Sequence, residues 1–428
     1  MNRIITILFI FTLIFCCLLV VLYPDSLSDE GNVKSFEQSI STTTNRTTYK
    51  PTNVDYTQRI KKLVGQKDLS LFTEIIDQSN ESMIKDFDQQ LENIRQANIK
   101  TFAYAKFNKF KEDNGQLEGI YWNGYLFNNN SKRSSIIEIL STTSVNTLVI
   151  DVKTDNGHIL FDADIEEISL LKNKRIKFSS EDLIELRKIK DLYLIGRIVV
   201  YQDPLFAQTF PDEAVFDSNL NKPYSQNGQY FLDPSSKKVQ TYIKNIASQA
   251  CELGFDEIQY DYIRYPDSNS KFMTFDDAYT QENRVKNINS FLKDSKELLH
   301  AKKCLLSADT FGFILKNQQD GGIGQNLDTI INSVDFISPM VYPSHYSNGS
   351  FGYQNPNKFP YEVITAALTD ALERGVESEQ LRPFLQGFWH STADIKNNIK
   401  AASDLEMDWL IWNILSVYEL EIFTKLIK

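Results

Sequence analysis

The sequence predicts an α/β protein dominated by a (β/α)8 barrel, and three observations carry that expectation. From residue 117 onward, short apolar runs alternate with longer amphipathic segments, the pattern of parallel βαβ units. The runs number eight: 119–127, 146–154, 192–201, 255–263, 304–312, 334–342, 381–389 and 407–415. Eight such units in about 300 residues match the size at which parallel strands close into a barrel. An open doubly wound sheet would place a glycine-rich phosphate turn after its first strand, and none follows 119–127. The one glycine cluster, Gly321-Gly322-Ile323-Gly324, lacks the full dinucleotide spacing and reads as a flexible loop.

The elements follow in chain order. Residues 4–23 form an uncharged run of 20 residues, long enough to cross a bilayer core. A signal peptide has a shorter apolar region and a small-x-small cleavage site, whereas this run ends in Leu22-Tyr23-Pro24-Asp25. Phe15 before Cys16 argues against a lipoprotein. Arg3 precedes the run while Asp25, Asp29 and Glu30 follow it, so the positive-inside rule puts the N-terminus in the cytoplasm and the rest outside. Residues 1–23 are therefore expected to be a transmembrane helix that anchors the chain, with secretion after signal cleavage as the alternative. Residues 24–54 turn to Ser, Thr, Asn and Asp, the composition of a flexible tether. Asn45-Arg46-Thr47 and Asn348-Gly349-Ser350 match the glycosylation sequon. Residues 55–116 show helical periodicity, as in Leu71-Phe72 to Ile75-Ile76 and Met83 to Leu91 and Ile94, and predict a short helical neck without visible chemistry.

The barrel occupies 117–428, with helices expected at 132–143, 180–190, 235–253, 282–301, 326–333, 360–375, 391–405 and, closing the chain, 416–427. Cys251 and Cys304 fall in one helix and one strand, are read as free core cysteines, and show no metal-ligand spacing.

Composition narrows the function. With 45 Lys+Arg against 56 Asp+Glu, the net charge is −11, which argues against a nucleic-acid partner. Four cysteines imply no disulfide scaffold. Aromatics are abundant, at 28 Phe, 20 Tyr and 4 Trp.

Barrel enzymes carry their chemistry at the C-terminal ends of the strands. Strand 2 delivers Asp151 and Lys153, strand 3 Arg197, and strand 4 Glu257, Gln259 and Asp261 on one face by period-2 alternation. That alternation turns Ile258, Tyr260 and Tyr262 toward the helices. Strand 5 brings Ser307 and Asp309, strand 6 ends at Tyr342 and His345, strand 7 at Trp389 and His390, and strand 8 at Trp412. Inward carboxylates are costly unless paired, so several strands presenting them together point to a site, although Asp151 could instead pair with Lys153 or Arg197. Two carboxyl groups, one protonating a leaving oxygen and one attacking carbon or activating water, are what glycosidic cleavage needs. Tyr342, Tyr346, Trp389 and Trp412 offer flat faces for sugar rings. Asp151, Asp261 and Asp309 could hold Mg²⁺ or Ca²⁺ through oxygen, but Lys153 and Arg197 already supply positive charge, so neither metal nor cofactor is expected. A serine-nucleophile elbow is missing from the sequence.

The segments NTLVIDVKTDNGHILF, GFDEIQYDYIRYP, SADTFG, DFISPMVYPSHY and WLIWN resemble a family of bacterial glycoside-hydrolase-like (β/α)8 barrels, the DUF4015 group, over residues 117–418. The resemblance implies a barrel acting on an extracellular poly- or oligosaccharide. By analogy with related barrel glycosidases, Asp261 is its nucleophile or base, and Asp309, at the neighbouring strand end, is the chosen proton donor. Asp151, Lys153, Arg197, Glu257, Tyr342, His345, Trp389 and Trp412 are expected to bind substrate. The alternative is a non-catalytic carbohydrate-binding or wall-associated module on the same fold.

Overall fold

The computed structural model describes residues 69–268 and 271–423. The expected anchor, the tether and the start of the helical neck lie outside the described residues. Among those described, no helix is long and apolar enough to cross a membrane. The chain divides into two units, up to Gln89 and from Gln90 on; the described part of the first is the opening of helix α1, Leu69–Asn114.

In the second unit eight strands close into a parallel barrel in chain order. They are β1 Glu118–Trp122, β2 Thr147–Lys153, β3 Tyr193–Val199, β4 Glu257–Asp261, β5 Leu305–Phe311, β6 Phe336–Met340, β7 Phe384–Gln386 and β8 Trp409–Trp412. β1 pairs with both β2 and β8, which closes the ring. All eight expected runs become strands because each alternates strictly between two buried surfaces. On β2, Leu148, Ile150 and Val152 join the core under the helices, while Val149 points into the barrel with Tyr193, Ile195 and Leu305. A strand buried on both faces must read as a nearly continuous apolar run.

The outer helices α2 Asn130–Thr142, α3 Ser180–Ile189, α4 Lys237–Leu253, α5 Gln281–Ala301, α6 Leu327–Ile330, α7 Pro360–Glu373 and α8 Thr392–Ser403 alternate with the strands. Helices α3 and α8 open with capping boxes, Ser179 with Asp182 and Ser391 with Asp394, which satisfy backbone N–H groups otherwise left without partners.

Two helical expectations need correction. Residues 326–333 form only the single turn of α6. The stretch from 416 is not a helix over its described residues: Ser416 has φ of 49°, and only a 3-10 turn at Leu420–Phe423 follows. Tyr418, Ile422 and Phe423 are buried, so their helix-like spacing serves packing from an irregular segment.

The C-terminal part of α1 covers the N-terminal ends of the strands. Phe107 and Phe110 pack on Tyr193, and Phe107 on Phe336. The Tyr104 hydroxyl donates to Asp335 at 2.8 Å, Lys111 pairs with Asp408, and His300 and Lys296 also meet Asp335. Burial alone would raise Asp335, but His300, Lys296 and the Leu306 amide hold its carboxyl below the usual range. This end of the barrel is sealed, which leaves the opposite end for chemistry.

Cys251 and Cys304 are not free. They form a disulfide with a Cα–Cα distance of 6.1 Å, joining the last turn of α4 to the residue before β5. Their 53-residue separation hides a contact created by one βα return of the barrel.

Candidate active site

Inward-facing positions near the C-terminal ends of four consecutive strands supply a buried charge cluster. Arg197 on β3 lies opposite Asp151 on β2, and Asp261 on β4 lies opposite Val199 on β3. On β5, Ala308 pairs with Tyr260, so Asp309 follows as the lateral neighbour of Asp261. Arg197 Nη1 donates to Asp151 at 2.7 Å and Nε to Asp261 Oδ2 at 3.0 Å. The same Nε lies 4.0 Å from Asp309 Oδ2. These two arms from one atom cap the separation of the Asp261 and Asp309 oxygens at about 7 Å (3.0 + 4.0).

One guanidinium faces three carboxyl groups, and all three cannot be charged in a buried site without large cost. The structure distributes the charge unequally. Asp151 accepts from Arg197, from the Tyr121 hydroxyl at 2.6 Å and from the Gly124 amide at 3.2 Å. Asp261 accepts two Arg197 N–H groups and the Tyr262 amide at 2.6 Å. Asp309 Oδ1 is buried without a partner. Burial, then the neighbouring Asp261 charge, push the Asp309 carboxyl well above the ordinary range despite Arg197. Asp309 therefore favours its protonated form more than an exposed aspartate does, beside an Arg197–Asp261 ion pair.

A cavity of about 650 Å³ opens above this cluster, lined by Arg197, Asp261 and Asp309 at its floor. Its walls include Tyr262, Phe311, Tyr342, Tyr346 and Trp412. Trp412 stacks on Tyr121 with ring centroids 3.8 Å apart and receives the Arg197 guanidinium at 4.7 Å. His345 meets the Tyr342 ring edge-on at 5.1 Å, and burial lowers its pKa, which favours the neutral ring. The Tyr346 hydroxyl is buried without a protein partner and approaches Gly312 so closely that a Cβ there would lie 2.5 Å from it and 2.7 Å from the Met340 carbonyl. Glycine is required at that position for the wall to close.

The structure brings Asp261, Asp309, Arg197, Tyr342, His345 and Trp412 onto this one cavity. Four other expected substrate contacts are not among its lining residues. Asp151 sits behind Arg197 as its hydrogen-bond partner. Lys153 shares the parity of Asp151, but a register shift between them sets Lys153 beside Ile198 instead of inside the barrel. There it pairs with Asp203 at 3.0 Å and donates to the Val199 carbonyl at 2.7 Å, fully buried. Glu257 does point inward, yet four residues below Asp261, and it is held by Arg382 at 2.9 Å, Tyr193 at 3.1 Å and Ser307. Trp389 is 83% exposed; its ring touches Phe388, which in turn packs on Tyr342.

Three polar lining residues escaped the strand-end reading. Tyr262 was assigned to the helix side by alternation, but its φ of 50° ends the strand after Asp261 and turns the ring to the cavity. Arg264 follows in the same irregular segment. Gln325, buried beyond the glycine cluster, accepts from the Phe311 amide at 2.9 Å and donates to the carbonyls of Ile263 and Asp309 at 3.3 Å. It ties the ends of β4 and β5 together, and no local sequence pattern signals that role. Among the described residues no group of His, Cys, Asp and Glu side chains is arranged to hold a metal ion.

Comparison with known proteins agrees with this architecture. The glycoside hydrolase domain of PgaB (BpsB) from Bordetella bronchiseptica aligns with a TM-score of 0.53 at 11% identity, over 70% of this chain and 93% of that one. At that identity the likeness is one of fold. A hypothetical protein from Ruminiclostridium thermocellum is 29% identical over 44% of this chain and 96% of its own, with a TM-score of 0.40. No curated protein matches. Residues 119–418 match the family described as "Putative glycosyl hydrolase domain", a span that reaches all eight strands and omits only Glu118 of β1, and the chain belongs to that family, DUF4015.

Proposed function

We propose that the barrel hydrolyses glycosidic bonds in a poly- or oligosaccharide, with Asp309 as proton donor and Asp261 as nucleophile. The observation that carries this reading is the asymmetry of the pair: Asp309 is buried, unpartnered at Oδ1 and shifted upward, while Asp261 is ion-paired with Arg197. Asp309 gives its proton to the leaving oxygen as the Asp261 carboxylate bonds to the anomeric carbon. Water, deprotonated by Asp309, then displaces Asp261 and restores both groups. Retaining enzymes space their carboxyl groups by roughly 5–5.5 Å and inverting ones by roughly 6.5–9.5 Å. A cap of about 7 Å between the oxygens (3.0 + 4.0) meets both spacings, so the anomer of the product decides between attack by Asp261 and attack by water. Trp412 and Tyr342 offer faces for the sugar rings.

The same proposal sets the barrel outside the cell, anchored through residues 1–23. The apolar run and its flanking charges support this reading, and so does the Cys251–Cys304 disulfide, a bond that persists in oxidising compartments.

The test is turnover of a glycan panel by wild type, Asp261→Asn and Asp309→Asn, with NMR of the product anomer. Each substitution is expected to lower kcat by roughly 10²–10⁴-fold, and the first-formed product is expected to retain its configuration. Full activity in Asp261→Asn refutes the assignment. Wild-type binding without turnover marks the barrel as a carbohydrate-binding module instead.

A further inference from the structure

Two cations line the cavity, Arg197 and Arg264, and they are compensated very differently. Arg197 meets three carboxyl groups. Arg264 is more than nine-tenths buried, yet its only carboxylate partner among the described residues is Asp267 at 3.6 Å, a side chain about half exposed to solvent. Its Nη1 donates to the Tyr265 carbonyl at 3.0 Å. The rest of its surroundings are aromatic: the guanidinium carbon lies 5.0 Å from the centroid of Phe311, 5.2 Å from Tyr262 and 5.7 Å from Phe231. Stacking on rings orients a guanidinium and strips its water, but it supplies no counter-charge. A desolvated cation that faces a cavity and has one screened partner is poised to bind an anion.

The position and the charge count specify which anion. Tyr262 immediately follows Asp261 and Phe311 lies two residues past Asp309 on β5, so Arg264 sits beside the reacting pair. A lone guanidinium whose one carboxylate partner is half exposed and screened suits a single carboxylate better than a polyanion. Its planar fork matches the two oxygens of a carboxylate.

We propose that the cavity takes a glycan containing carboxylated sugars and that Arg264 recognises the carboxylate. This rests on the cavity being a glycan site, and it adds the substrate class. The test is calorimetric binding of oligosaccharides containing glucuronate, galacturonate or N-acetylmuramate, each paired with its counterpart in which the carboxyl is reduced to an alcohol. Wild type is expected to bind at least one acidic form 10-fold or more tighter than its reduced partner, as a charge-assisted hydrogen bond predicts at roughly 10–100-fold. Arg264→Gln should weaken the acidic form to the level of the reduced one while leaving the reduced one unchanged, and Arg264→Lys should recover part of the difference. Equal binding of every pair by wild type overturns the proposal, as does an Arg264→Gln variant that weakens both members alike. Binding is read without turnover. An acidic glycan bound but not cleaved would therefore count against the hydrolase reading alone, and a neutral glycan cleaved without acid preference against this one alone.

Discussion

The barrel interior holds two buried arginine clusters built from the same parts, and the one at the open end lines the cavity described above. Near the sealed end, Arg382 pairs with Glu257 at 2.9 Å and lies 4.2 Å from the Phe336 ring centroid. Near the open end, Arg197 has Asp151, Asp261 and Asp309 around it and the Trp412 ring at 4.7 Å. Burial pushes Glu257 upward as it does Asp309, but Arg382, Ser307 and Tyr193 all donate to Glu257. Asp309 Oδ1 receives nothing. The difference lies in stoichiometry. At the sealed end one cation meets one carboxylate whose oxygens are all satisfied, whereas at the open end carboxyl groups outnumber the cation and Asp309 Oδ1 has no partner, the asymmetry on which the proposed acid role rests.

The largest stability effect should come from breaking the balanced pair. Arg382→Met leaves Glu257 buried without its cation, a change expected to cost about 3–5 kcal/mol. Denaturant unfolding measures it. Adding Glu257→Gln to the same chain should recover most of the loss, because a neutral amide can accept from one of the Tyr193 and Ser307 hydroxyls and donate its NH2 to the other. If the single variant proves as stable as wild type, the two clusters do not differ in the way the charge count says.

A smaller effect, indifferent to both clusters, provides the control. The Cys251–Cys304 disulfide ties α4 to the start of β5 outside the barrel interior, and its removal by Cys251→Ser with Cys304→Ser should cost about 2–4 kcal/mol. The pH dependence of activity should not move, since neither sulfur approaches the cavity. A displaced pH profile would mean that the strand carrying Asp309 is positioned by this bond.

Much of this arrangement was legible because (β/α)8 strands are two-sided. Asp261 and Asp309 stand out as inward polar residues at strand ends, and parity alone brings them to Arg197. Parity has no depth, however. Glu257 shares the face of Asp261 but lies about 13 Å lower at ~3.3 Å per residue, where Arg382 from the start of a distant strand meets it. Parity also fails wherever the backbone is irregular. The register shift after Asp151 redirected Lys153, and the positive φ of Tyr262 carried Tyr262 and Arg264 from an apparent outer face to the cavity wall. Cys251 and Cys304 escaped for a third reason: the contact joins two elements that only the closed barrel makes neighbours.

The finest distinction between the clusters is the pH at which each loses stability. An unfolded aspartate releases its proton near pH 3.9, but folded Asp309 retains its proton well above that value. Between the two values the folded state binds more protons than the unfolded one, so stability falls as pH rises, by at most about 1.4 kcal/mol per pH unit. Asp309→Asn cannot titrate and mimics the protonated form. Wild type and variant should therefore be equally stable near pH 3.5, with the variant gaining on wild type as pH rises through the folded-state value and holding a constant advantage beyond it. Activity of the wild type should fall over that same upper range, as the acid loses the proton it must donate. Parallel stability curves for the two proteins across pH 3.5–8 would show that Asp309 is charged in the folded barrel, and the proton donor would then have to be sought elsewhere in the cavity.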